Sequence, residues 1–358
     1  MSDRSTPATQ PQGAPIAIPD APPIPGLSFR HFAGPSDYAG IAALRVACAL
    51  EDDSSEMPTE ADIANYFEHP WFTDPYRDTV VAEANGSLAA MQWTTARIIE
   101  GVFIAGLRGY LHPAWRRRGL GRALLTRGER HARSHVPAEG AVLPGAWQVE
   151  ASASETGAVA LSRAGGYLPF RFAYDMTRDL AEPVPSVPLP PGIEIRAARP
   201  EHCRAIWEAE REAFEGNPGH TPWPEEGYQR FLSFPHYDPA LWRIAWDGDQ
   251  VAGIVLSFVN AEENAAFDRR RGYTEDIAVR KPWRQRGLAS ALLADSLRAL
   301  QERGLSEAAL GVDAANPGAL ALYQRLGFKP VSEWITYRKP WPQDPPGNGS
   351  PCAERHPR

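Results

Sequence analysis

Cysteine is scarce in this chain. Its 358 residues include three, Cys48, Cys203 and Cys352. They lie far apart with no CxxC pair, which argues against a disulfide framework or a zinc site. A partly buried free thiol accounts for Cys203 better than a nucleophile does. The nine histidines fall in no ligand spacing, so no metal is expected. Basic charge is not in excess either. A net charge of −7 excludes a whole-molecule field for nucleic acid, so any attraction for phosphate must be local. No apolar run reaches the roughly eighteen residues that a membrane helix needs. The opening residues lack a basic start followed by an apolar stretch, so no secretory signal is expected. Neither GxxxxGK(S/T) nor GxGxxG occurs. What remains is a soluble cytoplasmic protein with no nucleic-acid or membrane partner.

Proline supplies the punctuation. Residues 1–26 form a polar, proline-rich stretch expected to be an extended or disordered tail. "AEPVPSVPLPP" makes a semi-stiff linker over 181–191, and a second proline-rich tail covers 341–358. Two blocks of ordinary domain size remain, 27–180 and 192–340.

The blocks repeat each other. Each opens on a strand ("LSFRHF", "IEIRAAR") and a helix with apolar residues at helical spacing ("YAGIAALRVACAL", "HCRAIWEAEREAF"). Each then has a hairpin turning at Asn-Gly ("EANGSL") or Asp-Gly ("WDGDQV"). A strand runs into "PAWRRRGLGRALL" or "KPWRQRGLASALL", followed by a helix and another strand. A second helix aligns without a gap, "ETGAVALSRAGGY" on "NPGALALYQRLGF", before a closing strand. The fold class is mixed α/β, duplicated.

The repeated turn has a physical use. A strand that turns straight into a helix leaves backbone N–H groups pointing the same way, and the helix dipole adds positive charge there. Gly119 and Gly287 permit strained torsions and close approach, and Gly121 and Ala289 keep the wall thin. Arginines at 116, 117, 118, 122, 284 and 286 add charge around the rim. A pyrophosphate suits this chemistry.

Arg116-Arg117-Arg118-Gly119-Leu120-Gly121 and Arg284-Gln285-Arg286-Gly287-Leu288-Ala289 resemble the Q/R-x-x-G-x-G/A signature of the GNAT acetyltransferase superfamily. "NPGALALYQRLGF" resembles that superfamily's later segment. Over about 300 residues the chain is similar to tandem GNAT proteins, mycothiol synthase among them. The resemblance implies two domains, each with a mixed, mostly antiparallel sheet flanked by helices. It implies acetyl-CoA as co-substrate, with pyrophosphate on these turns. By the same resemblance Asn316 contacts the cofactor, and the backbone of Ala278 and Val279, like Leu111 in the first block, receives its pantetheine arm.

Acetyl transfer needs a neutral amine, a donor for the developing oxyanion and a proton for the departing thiolate. The resemblance makes Tyr323 that proton donor. Glu275 and Asp276 are candidate bases; strand alternation puts them on opposite faces, so only one is expected in the cleft, and Glu275 is favoured. In the first block Ser162 replaces the tyrosine, Glu155 the asparagine, and Leu107-Arg108 the two carboxylates. That block is expected to keep the turn and lack the chemistry, with Glu150 a residual base or an arginine's partner. Asp313 is expected to be a strand-end or turn residue and not a catalyst. The acceptor is expected to be a small-molecule or peptide amine, with Glu225, Glu226, Glu262 and Glu263 candidates to attract a cation. Alternatives are a CoA-binding sensor without catalysis, or a scaffold whose proline-rich ends bind partners.

Overall fold

The computed structural model describes residues 13–342 except 55–56, 139, 216, 218–220 and 222. The N-terminal half begins with β1 (Leu27–His31), α1 (Tyr38–Asp52), α2 (Glu60–Glu68) and α3 (Pro75–Asp78). It continues through β2 (Thr79–Ala84), β3 (Ser87–Ile99), β4 (Val102–Leu111) and α4 (Leu120–Ser134). It ends with β5 (Gly145–Ser152), α5 (Thr156–Ala164) and β6 (Leu168–Asp179). The C-terminal half begins with β7 (Glu194–Arg196), α6 (Cys203–Phe214) and α7 (Glu225–Leu232). It continues through β8 (Arg243–Asp247), β9 (Gln250–Phe258), α8 (Ala261–Ala266) and β10 (Arg271–Val279). It ends with α9 (Leu288–Glu302), β11 (Glu307–Asp313), α10 (Pro317–Arg325) and β12 (Lys329–Pro340). The two Gly-containing hairpins turn where the sequence puts them, between β2 and β3 and between β8 and β9.

All twelve strands form one sheet, in the order β1-β2-β3-β4-β5-β12-β6-β11-β10-β9-β8-β7. Only β4 with β5 and β10 with β11 run parallel; the other neighbours are antiparallel. The last strand of each half is exchanged. β12 inserts between β5 and β6, and β6 pairs with β11 from Asp179↔Glu307 to Ala173↔Asp313.

The cores are exchanged with the strands. Ile335 and Tyr337 of β12 are buried among Phe103, Trp147 and Tyr167 of the first half. Met176 and Leu180 are buried among Leu292, Leu297 and Leu310 of the second. Each such apolar side chain contributes about 1.5–3 kcal/mol to a core built mainly by the other half. The segment 181–191 is fastened as well: Val184, Val187 and Leu189 pack on the second core, and Pro183 O accepts from Arg178 Nη2 at 2.8 Å.

The described part of the N-terminal stretch departs from the expected tail. Ile16 N–H donates to Phe29 O at 2.9 Å, His31 N–H to Ala14 O at 2.9 Å, and Ile18 is buried against Phe29, Leu120 and Leu124. Two isoleucines spaced by two residues give this stretch an apolar edge, and prolines are tolerated along an outer strand. It covers the free edge of β1. Residues 1–12, 343–358 and Cys352 lie outside the described residues, while Trp341 packs on Phe103 and Trp147.

Candidate active site

The two arginine–glycine turns share one backbone. Arg116 and Arg284 are extended (φ −67 and −66), Arg117 and Gln285 are left-handed (φ 60 for both), and Gly119 and Gly287 cap α4 and α9 at φ 87 and 82. No side chain caps either helix, so the first N–H groups stay available to an anion. A Cβ at Gly287 would meet nothing within 4 Å, whereas one at Gly119 would stand 3.7 Å from Pro22. The second turn is open to an approaching ligand, and the first has the N-terminal stretch beside it.

The leading arginine of each turn braces the loop, contrary to its expected place on the rim. Arg284 donates from Nε to Val279 O at 2.9 Å and from Nη2 to Ala213 O at 2.7 Å. Arg116 donates from Nε to Leu111 O at 3.1 Å and pairs bidentately with Asp52 at 2.7 Å. Arg118 lies over Trp115.

Each turn opens onto a split in the sheet. β10 pairs with β11 only from Arg271 to Tyr273, and beyond that the strands part around a cleft of about 1270 Å³. β4 pairs with β5 only from Phe103 to Gly106, and a smaller cavity of about 480 Å³ follows. Ala278, Val279, Arg284, Gln285, Gly287, Leu288 and Ala289 line the larger cleft, with Asn316, Tyr323, Glu275 and Asp276. Arg286 is outside it. Leu111, Arg116, Arg117, Gly119 and Gly121 line the smaller one, while Leu120 is buried in the core. Asn316 caps α10, its side chain accepting from Ala319 N–H at 3.1 Å.

Strand alternation fails where the chemistry is expected. Between Glu275 and Ala278, β10 carries one residue more than its partner β9, and Asp276 takes φ 48. This bulge brings both carboxylates to the cleft instead of one. A third joins them. Glu210 of α6 is 4% exposed and hydrogen-bonds Asp276. Burial and the Asp276 charge push the Glu210 carboxyl well above the usual range, while Asp276 itself is exposed to the cleft. Glu275 is pushed up to about 8 by burial and by Asp276 and Asp175, against an opposing hydrogen bond from Gly311 N–H. Asp175 belongs to the exchanged strand β6, held by Ser332 Oγ and Trp334 Nε1. Tyr323 is buried, and enclosure and Glu275 hold its phenol proton more tightly than usual. Sequence reasoning missed Glu210. Its signal was a glutamate within the apolar stripe of α6, in register with Ile206 and Ala213.

The Acetyltransferase (GNAT) family matches over residues 41–145 and again over 203–328. The chain belongs to the GNAT acetyltransferase family. It is therefore an acyltransferase, and acetyl-CoA is its co-substrate. A mycothiol acetyltransferase of Salinispora tropica is 32% identical over 74% of this chain and 83% of its own length. A GCN5-related N-acetyltransferase from Sphaerobacter thermophilus is 30% identical with a TM-score of 0.63, covering 88% of this chain and 96% of that one. A tandem GNAT protein from the clavulanic acid biosynthesis pathway, 17% identical, shares the fold over 93% of this chain and 99% of its own (TM-score 0.60).

The two GNAT copies differ at their centres. β4 pairs with β3 without a register shift, so the first copy lacks the bulge that β10 carries. Arg108 pairs with Glu150, which makes that glutamate an arginine's partner. Ser162 Oγ donates to Ala158 O at 2.8 Å within α5, and Glu155 accepts from Ser152 N–H at 2.8 Å. Ser162, in the tyrosine's place, is thus engaged within α5, and Glu155, in the asparagine's place, with the end of β5.

The second GNAT cleft borrows a wall from the first half. Trp71, Phe72 and Arg97 line it together with residues of α10. None of the four glutamates expected to attract a cation lines it. Glu225 pairs with Arg204 and Glu226 with His69, and Glu263 is buried against Arg269 and Tyr273. Asp313 ends β11, accepting from Ala315 N–H at 2.8 Å and facing Arg171 of β6 at 3.5 Å. No described helix is long and apolar enough to cross a membrane, and no group of metal-ligating side chains occurs among the described residues.

Proposed function

We propose that the C-terminal half transfers the acetyl group from CoA to a primary amine of a small molecule or peptide, while the N-terminal half has no chemistry of its own. One observation carries this reading. The bulge in β10 brings Glu275 and Asp276 to the cleft that Tyr323 lines, with Glu210 hydrogen-bonded to Asp276, whereas β4 of the first half has no such bulge and Leu107, Arg108 and Ser162 stand at the matched positions. The thioester supplies an activated acetyl group and a thiol leaving group of pKa about 8.5. A carboxylate with a pKa of about 8 is matched to an ammonium donor near neutral pH, where an ordinary glutamate is too weak a base. Glu275 takes the amine's proton. Asp276 and Glu210 hold one proton between them, which limits the negative charge beside the site. Tyr323 keeps its proton until the thiolate forms and then gives it up to the sulfur. The N–H groups at the start of α9 take the pyrophosphate, and the left-handed Gly287 lets it approach.

The test is release of CoA thiol over a panel of primary amines, for the wild type, Tyr323→Phe and Arg117→Ala. Loss of turnover in the first variant and retention in the second is the expected pattern. The reverse pattern overturns the assignment to the C-terminal half.

A further inference from the structure

A third cavity, of about 180 Å³, lies between the halves. Its walls carry more positive charge than their neighbours neutralise. Arg97 of β3, Arg108 of β4 and Arg230 of α7 line it with a single carboxylate, Glu150. Arg108 already holds that carboxylate. Arg97 has no ion pair among the described residues, and its Nε is buried without a hydrogen-bond partner. Its guanidinium stands 5.9 Å from the Phe72 ring centroid. Arg230 lies over Tyr66 and Trp71, at 4.7 and 5.5 Å, and no described carboxylate pairs with it. Burial makes both guanidiniums easier to deprotonate than usual; at Arg97 the Glu150 charge opposes this and the Arg108 charge adds to it. Enclosing three guanidiniums around one carboxylate is costly, and an acidic chain of net charge −7 does not impose it through composition.

The cavity adjoins the cleft of the second half, and Trp71, Phe72 and Arg97 line both. An oxyanion gripped by Arg97 would therefore be one end of a molecule whose other end enters the cleft. The guanidinium fork matches a carboxylate or phosphate bidentately, and the rings of Tyr66, Trp71 and Trp93 shield that pair from water. We propose that this seam cavity is the acceptor's anion subsite: the amine substrate carries a carboxylate or phosphate group, held by Arg97 with Arg230 behind it, while its amine lies toward Glu275 and Asp276. The proposal rests on the acetyl-transfer reading of the C-terminal half. It makes the first half a specificity wall for the second, joined to it by the exchanged strands.

The test uses the full chain saturated with acetyl-CoA, so that the sites for CoA's own phosphates are filled. Succinate and inorganic phosphate are titrated separately by calorimetry. One of them is expected to bind with a Kd on the order of 1 mM, and to weaken about tenfold or more in Arg97→Gln and in Arg230→Gln. Succinate binding assigns a carboxylate-bearing acceptor, and phosphate binding a phosphorylated one. No binding of either anion overturns the proposal, as does binding that is unchanged in both variants. A raised acetyl-CoA Kd in Arg97→Gln overturns it too, because the arginine would then serve CoA. If acetyl-CoA fails to bind the wild type, the transfer reading falls, and the same titrations on the unloaded chain still decide whether the seam binds an oxyanion.

Discussion

Glu275→Gln probes the carboxylate cluster by stability as well as rate. With a pKa of about 8 in the folded chain against an ordinary 4.5, Glu275 keeps a proton between pH 6 and 8 that the unfolded chain has released. The folded state then binds more protons, so stability falls as pH rises, by at most about 1.4 kcal/mol per pH unit. The proton is half lost at pH 8, so the loss from pH 6 to pH 8 amounts to about 2 kcal/mol for this one group. Glutamine keeps the shape and cannot ionise. The variant should lose about 2 kcal/mol less than the wild type over that window, while Asp276 and Glu210 contribute their own slopes in both proteins. Urea unfolding at pH 6, 7 and 8 measures the difference directly. In turnover, wild-type kcat/KM should rise with pH to a plateau above about 8, with Glu275→Gln lower by roughly 100-fold or more. Parallel stability curves for the two proteins would refute the burial argument, whatever the kinetics show.

Tyr323→Phe should lower kcat by roughly 100-fold while leaving the acetyl-CoA Kd within about twofold, since the phenol acts on the leaving sulfur; rapid-quench kinetics with calorimetry reads both. Gly287→Val forces a β-branched residue to φ 82, which costs at least about 1–2 kcal/mol and fills the open space before the helix N-terminus, so acetyl-CoA binding at the C-terminal turn should be lost by calorimetry. Tyr337→Ala removes a fully buried ring of β12 from the core of the other half and should cost about 3–5 kcal/mol, with both halves melting in one transition by scanning calorimetry. Two separated transitions would contradict the exchanged-strand account.

What was legible in the sequence was short-range. The arginine–glycine turns, the hairpins and the helix carrying Tyr323 each depend on torsions and periodicity within about a dozen residues, and the repeat displayed them twice. The losses in the first copy were legible in the same way, because Ser162 and Leu107-Arg108 stand at matched positions. Only the tertiary structure decided the rest. Pairing partners of β6 and β12 lie more than a hundred residues away, so nothing local shows that the halves exchange their last strands. The bulge at Asp276 reversed the alternation rule, and it became visible only against the register of β9. Glu210 interrupts the apolar stripe of α6, but its partner is set only when α6 packs that carboxyl against Asp276. Arg97 becomes a wall of the cleft only when the two halves meet. Local chemistry is written along the chain, but burial, charge pairing and shared walls belong to residues that folding alone brings together.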